Sequence, residues 1–461
     1  MIRRLLFLAM LLGCFSTTET PRLWAETPSA KERPSSLTDD EYYELYKMLA
    51  DAMDQVERNY VKDVDRRELM EAAIEGVIGK LDPYSDYIES EELEKFRSSV
   101  DSEFGGIGIQ ITTENGQLKV LSPLVGTPAY RAGLRAGDVI EKIDGEPSEK
   151  ISLSEAVKRL KGKTGSSVEL TVLHPTTEHR ETVTIEREVI QIDTVLGDER
   201  NTDDTWSFWY DRDGRIGYIR VTAFSRETAG DLRTAVAELQ KDNLRGLILD
   251  LRFNPGGLLT SAIEVCDLFI PSGRIVSTEG RNTEKRVWDA QQAGTFEGFP
   301  MVVLVNRFSA SASEIVSACL QDHQRAIVVG ERTWGKGSVK NVIELSGGKS
   351  ALKLTTASYQ RPSGKNIHRF PDDEQQDEWG VLPSPGYKIK LSDEEISHLI
   401  LDRRERDLVL TKPVGDTANA APSEGAPPEP VDPADLSTAS AFADRQLQKA
   451  IDYLSSEIAR K

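Results

Sequence analysis

The sequence predicts a multidomain α/β protein, and three observations support this. Its 461 residues are enough for about two or three domains, and 38% hydrophobic with 29% charged residues is typical of a soluble protein with a sizeable core. From Ile216 onward, short apolar runs alternate with helical patterns, which predicts parallel strands joined by helical crossovers. The preceding chain is different: it is helical from Asp39 to Ser99 and then glycine-rich and strand-like as far as Glu188.

Residues 1–25 have the pattern of a signal peptide. Two arginines precede the apolar run Leu5–Leu12, which is too short to span a bilayer. Two cleavage sites fit. Leu11–Cys14 resembles a bacterial lipobox, which would leave Cys14 as a lipid anchor, whereas Leu23–Ala25 is an ordinary small-residue site. The sequence leaves both open, and both predict export to the bacterial periplasm or cell envelope.

Polar and helical stretches mark further boundaries. Residues 26–37 are polar and proline-rich, which predicts a tether, and residues 38–100 are predicted to be a helical region. Within it, Asp82-Pro83-Tyr84 ends the second helix because proline cannot continue one. Residues 412–437 are rich in Ala, Pro and Glu, so a disordered linker is expected there, and residues 438–461 return to a helical pattern. The terminal helices are candidates for a homodimer contact or for packing on the protein's own core.

Residues 101–190 carry glycine motifs in a consistent order. The strand-like Gly106–Ile111 is followed by Gly137–Ile140, a helix and further strands. This block resembles the PDZ domains attached to bacterial secreted proteases. The resemblance implies that the backbone amides of Gly106-Ile107-Gly108-Ile109 bind the terminal carboxylate of a peptide, which then pairs along the sheet edge. We expect a side chain at Gly108 to crowd that approach.

Residues 191–411 are predicted to form a core of parallel βα units. In open sheets of this kind, functional groups gather at the carboxyl ends of the strands. Gly257 lies just past such an end at a helix start, and so does Ser311, after the strand Met301–Val305. A further buried strand leads to Lys336, which is flanked by glycines. A serine at a helix start and a lysine beyond the next strand are the parts of a serine–lysine hydrolase.

Attack on an amide also needs donors for the developing oxyanion and a neutral base. The amides of Gly257 and Ala312 lie at two helix N-termini, where unpaired donors and positive potential are expected. A lysine has an ordinary pKa of about 10.4, and burial lowers it. The position of Lys336, between glycines and after a buried strand, fits such a dry pocket.

Spacing alone leaves the role of these residues open. Ser311-Ala-Ser-Glu314 matches a capping box, in which the serine only satisfies amides at the helix start. Ser309 and Ser313 lie at the same corner, and spacing does not choose among the three serines. His323 is excluded as the partner of Ser311 because it lies at the far end of the same predicted helix, roughly 18 Å away at a rise of about 1.5 Å per residue.

Six stretches together resemble one family. They are Leu81-Asp-Pro83, Phe104–Ile109, Asp250–Gly257, Ser309–Glu314, Thr333–Gly337 and Pro362-Ser-Gly364. Over nearly its whole processed length the chain is similar to the carboxy-terminal processing (tail-specific) serine peptidases, which implies a crotonase-like peptidase core. The resemblance implies that Ser311 is the nucleophile and Lys336 the general base. It also assigns the oxyanion hole to the amides of Gly257 and Ala312.

One position departs from the family pattern. The family usually has a glutamine at the fourth residue after the lysine, and this chain has Lys340 there. A cation cannot accept a hydrogen bond from a charged Lys336. One hypothesis is that Lys340 lowers the pKa of Lys336 electrostatically. The alternative is that Lys340 extends into solvent and a backbone carbonyl holds the base.

The sequence therefore predicts an exported serine endopeptidase that recognises free apolar protein C-termini through its PDZ domain and cleaves near them. The net charge of −19 argues against nucleic acids and anionic membrane surfaces as partners. No cofactor or metal is expected, since the five histidines are scattered and the chain has no HExxH or CxxC motif. Cys266 and Cys319 are predicted to be buried free thiols. Two alternatives stay open: a catalytically weak scaffold that binds C-terminal peptides, and a hydrolase of small esters or amides.

Overall fold

A computed structural model describes residues 38–89, 103–175, 177–345, 347–370, 373–374, 376–409 and 443–460. The chain divides into two compact units, one ending at Ile74 and the other beginning at Glu75. The expected signal peptide (1–25), tether (26–37) and linker (412–437) lie outside the described residues. Within the described ranges, no helix is both long enough and apolar enough to cross a bilayer.

Two helices occupy residues 39 to 78: α1 (Asp39–Asn59) and α2 (Arg66–Ile78). The helical pattern predicted as far as Ser99 is wrong at Asp86–Ile88, which form a strand. Thr38 caps α1. Its hydroxyl accepts a hydrogen bond from Glu41 N at 3.3 Å, and the Glu41 carboxylate accepts one from Thr38 N at 2.7 Å. This reciprocal capping box satisfies two backbone amides and fixes where the helix begins.

An antiparallel β domain follows the short strand β1 (Asp86–Ile88). Its strands are β2 (Glu103–Gly106), β3 (Ile109–Glu114), β4 (Gln117–Pro123), β5 (Val139–Ile143), β6 (Glu146–Pro147), β7 (Ser167–His174), β8 (His179–Glu186) and β9 (Glu188–Gln191), with helices α3 (Pro128–Arg131) and α4 (Leu153–Leu160). One sheet has the order β3-β4-β5-β7-β8 with β6 on β5, and β2 pairs with β9. The strand predicted over Gly106–Ile111 is interrupted at Ile107 and Gly108, because Gly108 has a φ of +74°.

The remaining elements form the larger domain. Its strands are β10 (Val195–Leu196), β11 (Glu199–Arg200), β12 (Trp206–Ser207), β13 (Trp209–Asp211), β14 (Ile216–Val221), β15 (Gly246–Asp250), β16 (Gly273–Gly280), β17 (Thr283–Ala290), β18 (Met301–Val305), β19 (Ala326–Gly330), β20 (Ser338–Leu345) and β21 (Ser350–Gln360). Its helices are α5 (Thr228–Lys241), α6 (Leu259–Asp267), α7 (Ala312–Asp322), α8 (Asp393–Asp407) and α9 (Arg445–Arg460). The parallel strands and crossover helices predicted from Ile216 onward are present. Helix α9 begins at Arg445, later than the predicted start at residue 438.

The central sheet has the order β10-β14-β15-β18-β19, and β14, β15, β18 and β19 pair in parallel as expected. Every residue of β14, β15 and β18 is buried, since helices cover both faces. Helices α5, α6 and α7 pack on one face. On the other face, Leu447, Ala450 and Leu454 of α9 pack against the strands. The apolar side of the C-terminal helix is therefore used within this chain.

A second sheet brings a distant segment to the lysine loop. Its order is β1-β21-β16-β17, and β20 pairs with β21. Strand β1 pairs antiparallel with β21, with Asp86 opposite Lys353 and Ile88 opposite Ala351. The residues just before β1 are thereby placed against the β20–β21 hairpin. Elsewhere in this domain, Cys266 and Cys319 are free and buried, as predicted.

Candidate active site

Ser311 lies at the mouth of α7 in an unusual backbone conformation. Its φ of +56° and ψ of −116° lie outside the regions that residues with a side chain favour. Such a conformation costs about 1–3 kcal/mol and persists only where the surrounding structure enforces it, often at functional sites. Ser311 is half-buried, whereas every residue from Ala312 to Leu320 is buried. The serine is thus the accessible residue at the start of a buried helix.

The structure separates Ser311 from the two neighbouring serines. The Ser309 hydroxyl donates to the Leu251 carbonyl at 2.8 Å, and the Ser313 hydroxyl donates to the Asn254 carbonyl at 3.0 Å. Both side chains are fully buried. Ser309 and Ser313 therefore hold the corner together and are not accessible to a substrate.

Glu314 connects the start of α7 to the lysine loop. Its fully buried carboxylate accepts hydrogen bonds from Ser311 N at 2.8 Å, Lys336 N at 2.8 Å, Gly335 N at 2.7 Å and the Thr333 hydroxyl at 2.5 Å. Burial raises the pKa of Glu314 to about 7, although these hydrogen bonds oppose the shift. Ser311 N and Lys336 N bind the same oxygen, Oε2, so the two nitrogens lie no more than twice 2.8 Å apart.

The capping box expected here is therefore compatible with a catalytic role. The Glu314 carboxylate accepts from Ser311 N, and Glu314 N donates to the Ser311 carbonyl at 2.8 Å. The glutamate thus holds Ser311 through its backbone.

The lysine side chains meet at the ring of Tyr84. Lys336 Nζ lies 5.8 Å from the ring centroid and Lys340 Nζ lies 4.8 Å from it. The Tyr84 hydroxyl accepts a hydrogen bond from Trp334 Nε1 at 3.3 Å. Both lysines are half-buried, so Lys340 does not extend into solvent as the alternative reading proposed. The sequence pattern predicts only a helix stop at Asp82-Pro83-Tyr84 and misses the contact of Tyr84 with the lysines. The one signal for it in the sequence is that Leu81-Asp-Pro83 is among the motifs shared with the family.

Burial, together with the charges of Lys336 and Lys353, lowers the pKa of Lys340 to about 7, while the Asp82 carboxylate opposes the shift. Asp82 accepts hydrogen bonds from Tyr84 N at 2.8 Å and from the Thr355 hydroxyl at 3.3 Å. Burial alone would raise the pKa of Asp82, but these hydrogen bonds outweigh it, and its pKa lies below the ordinary value. Asp82 is thus an ionised carboxylate at the lysine end of the site.

Glycines bring two helix starts together at the predicted oxyanion hole. A Cβ added to Gly256 would lie 2.7 Å from Ser311 Cβ and 3.0 Å from Ala312 N. A Cβ on the exposed Gly257 would lie 2.2 Å from the Phe224 carbonyl oxygen. Within the described part of the chain, neither Gly257 N nor Ala312 N donates a hydrogen bond. Two available amides therefore flank the serine.

Buried ion pairs hold the turn that presents these glycines. The fully buried Asp250 accepts from Arg252 Nη2 at 2.6 Å, Arg403 Nη2 at 2.5 Å and the Tyr218 hydroxyl at 2.7 Å. Burial alone would raise the pKa of Asp250, but the two arginines lower it well below its usual range. Arg252 Nη1 also lies 2.7 Å from Asp444 Oδ2, just before α9. The C-terminal helix is thus tied to the glycine turn.

The predicted carboxylate-binding loop has a backbone fixed by its own domain. Gly106 ends β2 opposite Glu188, and Ile109 begins β3. Between them, the side chain of Ile107 belongs to the domain core, so only its backbone faces a ligand. A Cβ on Gly108 would lie 2.3 Å from Thr127 Cβ. A side chain at Gly108 would therefore clash with Thr127 of the same domain, and crowding of a bound peptide stays a prediction.

Comparisons with known proteins identify the family. The models described as "Peptidase family S41", "PDZ domain" and "Activating protease CtpB N-terminal domain" match residues 215–375, 119–173 and 12–92. The carboxy-terminal-processing protease of Bartonella bacilliformis is 38% identical over 391 residues, which cover 81% of this chain and 85% of that protein. The chain belongs to the carboxy-terminal processing proteases of peptidase family S41.

Further relatives of this S41 peptidase cover most of its length. The carboxy-terminal processing protease CtpA of Bacillus subtilis is 33% identical over 368 residues, or 79% of this chain and 75% of that protein. Among solved structures, a photosystem II D1 C-terminal processing protease matches with 28% identity and a TM-score of 0.42, covering 78% of this chain and 94% of that one. The predicted family is confirmed, and so is the presence of a PDZ domain and a peptidase domain.

A cleft of about 1000 Å³ borders the lysine end of the S41 peptidase domain. Tyr84 lines it together with the exposed aromatic side chains of Phe308, Trp334 and Phe370. Ser311 and Lys336 are not among its lining residues, so the cleft lies beside the two residues. It offers apolar surface next to the site.

Proposed function

We propose that this S41 peptidase is an exported serine endopeptidase that binds the free apolar C-terminus of a protein through its PDZ domain and cleaves near that end. The nucleophile is Ser311 and the general base is Lys336. One observation carries the proposal: a single oxygen of Glu314 binds the backbone nitrogens of both residues. That contact makes neighbours of two residues from separate elements.

The geometry supports the following steps. A neutral Lys336 takes the proton of the Ser311 hydroxyl as the serine oxygen attacks the substrate carbonyl. The amides of Gly257 and Ala312 donate to the oxyanion, and each such donor typically contributes about 3 kcal/mol of barrier reduction. Lys336 then gives its proton to the leaving amine. A water molecule hydrolyses the acyl-enzyme by the same route in reverse order.

Lys336 has to turn from the Tyr84 ring toward the serine before this reaction begins. Its amine now lies 5.8 Å from the centroid of that ring. Because Ser311 N and Lys336 N share an acceptor, we expect rotation about the side-chain bonds of Lys336 to bring its amine to the serine. Substrate side chains entering the aromatic cleft are expected to favour that rotation.

The PDZ loop supplies the proposed selectivity for chain ends. Among the described residues, Ile107 N and Gly108 N donate no hydrogen bond, and they lie between two paired strands. Backbone amides in this arrangement can capture a carboxylate, after which the peptide pairs along the sheet edge. Export to the periplasm or cell envelope rests on the signal-peptide pattern, with lipidation at Cys14 left open.

Mass spectrometry of a digested, unfolded protein with an apolar C-terminus tests this function. Wild type is expected to release fragments cut near that end, and Ser311→Ala is expected to release none. The same substrate with an amidated C-terminus is expected to be cut more slowly, since the PDZ loop then lacks a carboxylate. Cleavage that persists in Ser311→Ala would contradict the assignment of the nucleophile.

A second candidate is a scaffold that binds C-termini without cutting. The observation that favours it is the contact of the Lys336 amine with Tyr84, a position from which it does not serve the serine. Fluorescence anisotropy with a labelled apolar peptide measures binding separately from cleavage. Tight binding to wild type with no fragments at any pH would select this candidate.

A further inference from the structure

The amines of Lys340 and Lys336 both lie at the ring of Tyr84, at 4.8 Å and 5.8 Å from its centroid. We propose that the two lysines form a proton-sharing amine pair, in which Lys340 holds the proton that Lys336 must lose before it acts as a base. This inference rests on the proposed function, because the base is the one assigned above. Lys340 is in this sense a positioning residue, since it acts on the reaction only through Lys336.

The fold brings the two amines together from a distance along the chain. Residues 336 and 340 lie on the same side of an extended segment but about 13 Å apart at roughly 3.3 Å per residue. The β20–β21 pairing shifts register between Val339, opposite Ala357, and Lys340, opposite Thr355. Such a bulge changes the direction of nearby side chains. Both amines consequently reach one aromatic ring, at 5.8 Å and 4.8 Å from its centroid.

The surrounding charges compensate one ammonium group better than two. From the loop before β1, Asp82 is the ionised carboxylate facing Lys340. From β21, Lys353 adds a further positive charge, and its Nζ lies 4.0 Å from Asp86 Oδ2. Burial lowers the pKa of the nearby His368, which is therefore neutral at pH 7. A half-buried pair with one neighbouring carboxylate is expected to release one of its two protons.

Removal of that proton leaves a pair that can rearrange without any change of charge. In one arrangement the Lys336 ammonium donates a hydrogen bond to the neutral Lys340 amine. Transfer of the proton along this bond gives neutral Lys336 and charged Lys340. Lys336 then takes the Ser311 proton as the serine oxygen bonds to carbon, and later gives it to the leaving amine. The pair returns to its starting state, so no external proton donor or acceptor is required.

The pH dependence of kcat/KM tests the inference. Wild-type activity is expected to rise with pH through about 7, where the pair loses its first proton and Lys340 has its lowered pKa. Lys340→Gln has no amine to hold the proton, so kcat/KM at pH 7 is expected to fall at least about tenfold and the rising limb to move at least about one pH unit to the alkaline side. Lys349→Gln, on the exposed turn of the same hairpin, is the matched control and is expected to follow wild type.

Lys340→Arg separates proton sharing from simple charge repulsion. Arginine keeps a positive charge but cannot accept a proton. Proton sharing predicts a loss of kcat/KM at pH 7 similar to that of Lys340→Gln. Repulsion alone predicts that the activity of the arginine variant still rises with pH near pH 7. Such a rise in Lys340→Arg, or a Lys340→Gln profile that superimposes on wild type, would overturn the proposal. Thermal melting checks that each variant is folded.

A spectroscopic measurement does not depend on peptidase activity. In Ser311→Ala with ¹³C-labelled lysine, one lysine Cε resonance is expected to titrate near pH 7, and it is expected to be absent in Ser311→Ala with Lys340→Gln. This titration, together with a wild type that releases no fragments, would keep the amine pair and reject the proposed function. If every lysine titrates above about pH 9, near the ordinary range, the amine pair is rejected whatever the activity.

Discussion

The two ends of the site are built in different ways. On the serine side, backbone groups fix the geometry: Ser311 has a strained φ of +56°, and its amide binds the fully buried Glu314. On the lysine side, two long side chains rest against the Tyr84 ring at 4.8 Å and 5.8 Å, half-buried and without a rigid frame. The main chain therefore sets the position of the serine, whereas neighbouring side chains set the proton affinity of the lysine amines.

The largest expected effect is at the fixed end. Ser311→Ala removes the nucleophile and is expected to lower kcat by about 10⁴- to 10⁶-fold, as for other serine hydrolases. Steady-state cleavage of a peptide substrate measures the fall in kcat. The melting temperature is expected to stay the same or rise, because alanine carries no more backbone strain at this position than serine does. Ser313→Ala is the comparison, and a loss of kcat as large as that of Ser311→Ala would place the nucleophile elsewhere.

Glu314→Gln tests the connection between the serine side and the lysine side of the site. It keeps Ser311 and Lys336 and weakens the hydrogen bonds that hold their backbones together. The new NH₂ group faces amide donors, and each buried donor left unpaired costs about 1–3 kcal/mol of stability. We expect a lower melting temperature and about a 10²-fold lower kcat, since small displacements of reacting groups have effects of that size. Glu394→Gln, exposed in the first turn of α8, is the control. Lower stability with unchanged kcat would make Glu314 a purely structural residue.

Tyr84→Ala is expected to affect the lysine side of the site. It removes the ring at which both amines lie, so proton sharing between them is expected to weaken and kcat/KM to fall roughly tenfold. Tyr84→Phe keeps the ring and loses only the hydrogen bond from Trp334, so a change of less than about threefold is expected. Equal effects of the two variants would show that the hydroxyl, and not the ring, matters.

Gly108→Ala extends the comparison to the PDZ domain, where a smaller effect is expected. The added Cβ meets Thr127 at 2.3 Å in a backbone with a φ of +74°, so a loss of about 1–3 kcal/mol of stability is expected. Preference for a free over an amidated C-terminus should fall, while cleavage of a short peptide stays unchanged. Gly116→Ala, with a φ of +77° and nothing within 4 Å, carries the same strain without the clash. A selectivity loss in Gly116→Ala would point to backbone strain alone.

The last expected effect concerns the pH dependence of the free energy of unfolding. The pKa of Lys340 is lowered to about 7 in the folded protein, so between that value and about 10.4 the folded state binds fewer protons than the unfolded state. The contribution of Lys340 to the free energy of unfolding therefore increases as pH rises through that window. This contribution is absent in Lys340→Met. Urea midpoints at pH 7 and pH 10 measure it. The wild type is expected to gain relative to the variant, and a constant difference would contradict a shifted Lys340.

The sequence by itself determined the local structure and the candidates. Apolar periodicity places the parallel strands and their helices within one or two residues, because a buried strand or an amphipathic helix repeats its pattern along the chain. Glycine motifs and the family resemblance identify Gly257, Ser311 and Lys336 as candidate site residues. These are properties of neighbouring residues, which a sequence records directly.

Only the tertiary structure decided which groups meet. Ser309 and Ser311 look alike in sequence, but one is buried against the Leu251 carbonyl and the other is accessible. Glu314 resembled a simple helix cap until the fold brought the lysine loop to the same carboxylate. Tyr84 reaches the lysines because β1 pairs with a strand far away in the chain. Contacts of this kind depend on how elements pack, and packing is not a property of any one segment.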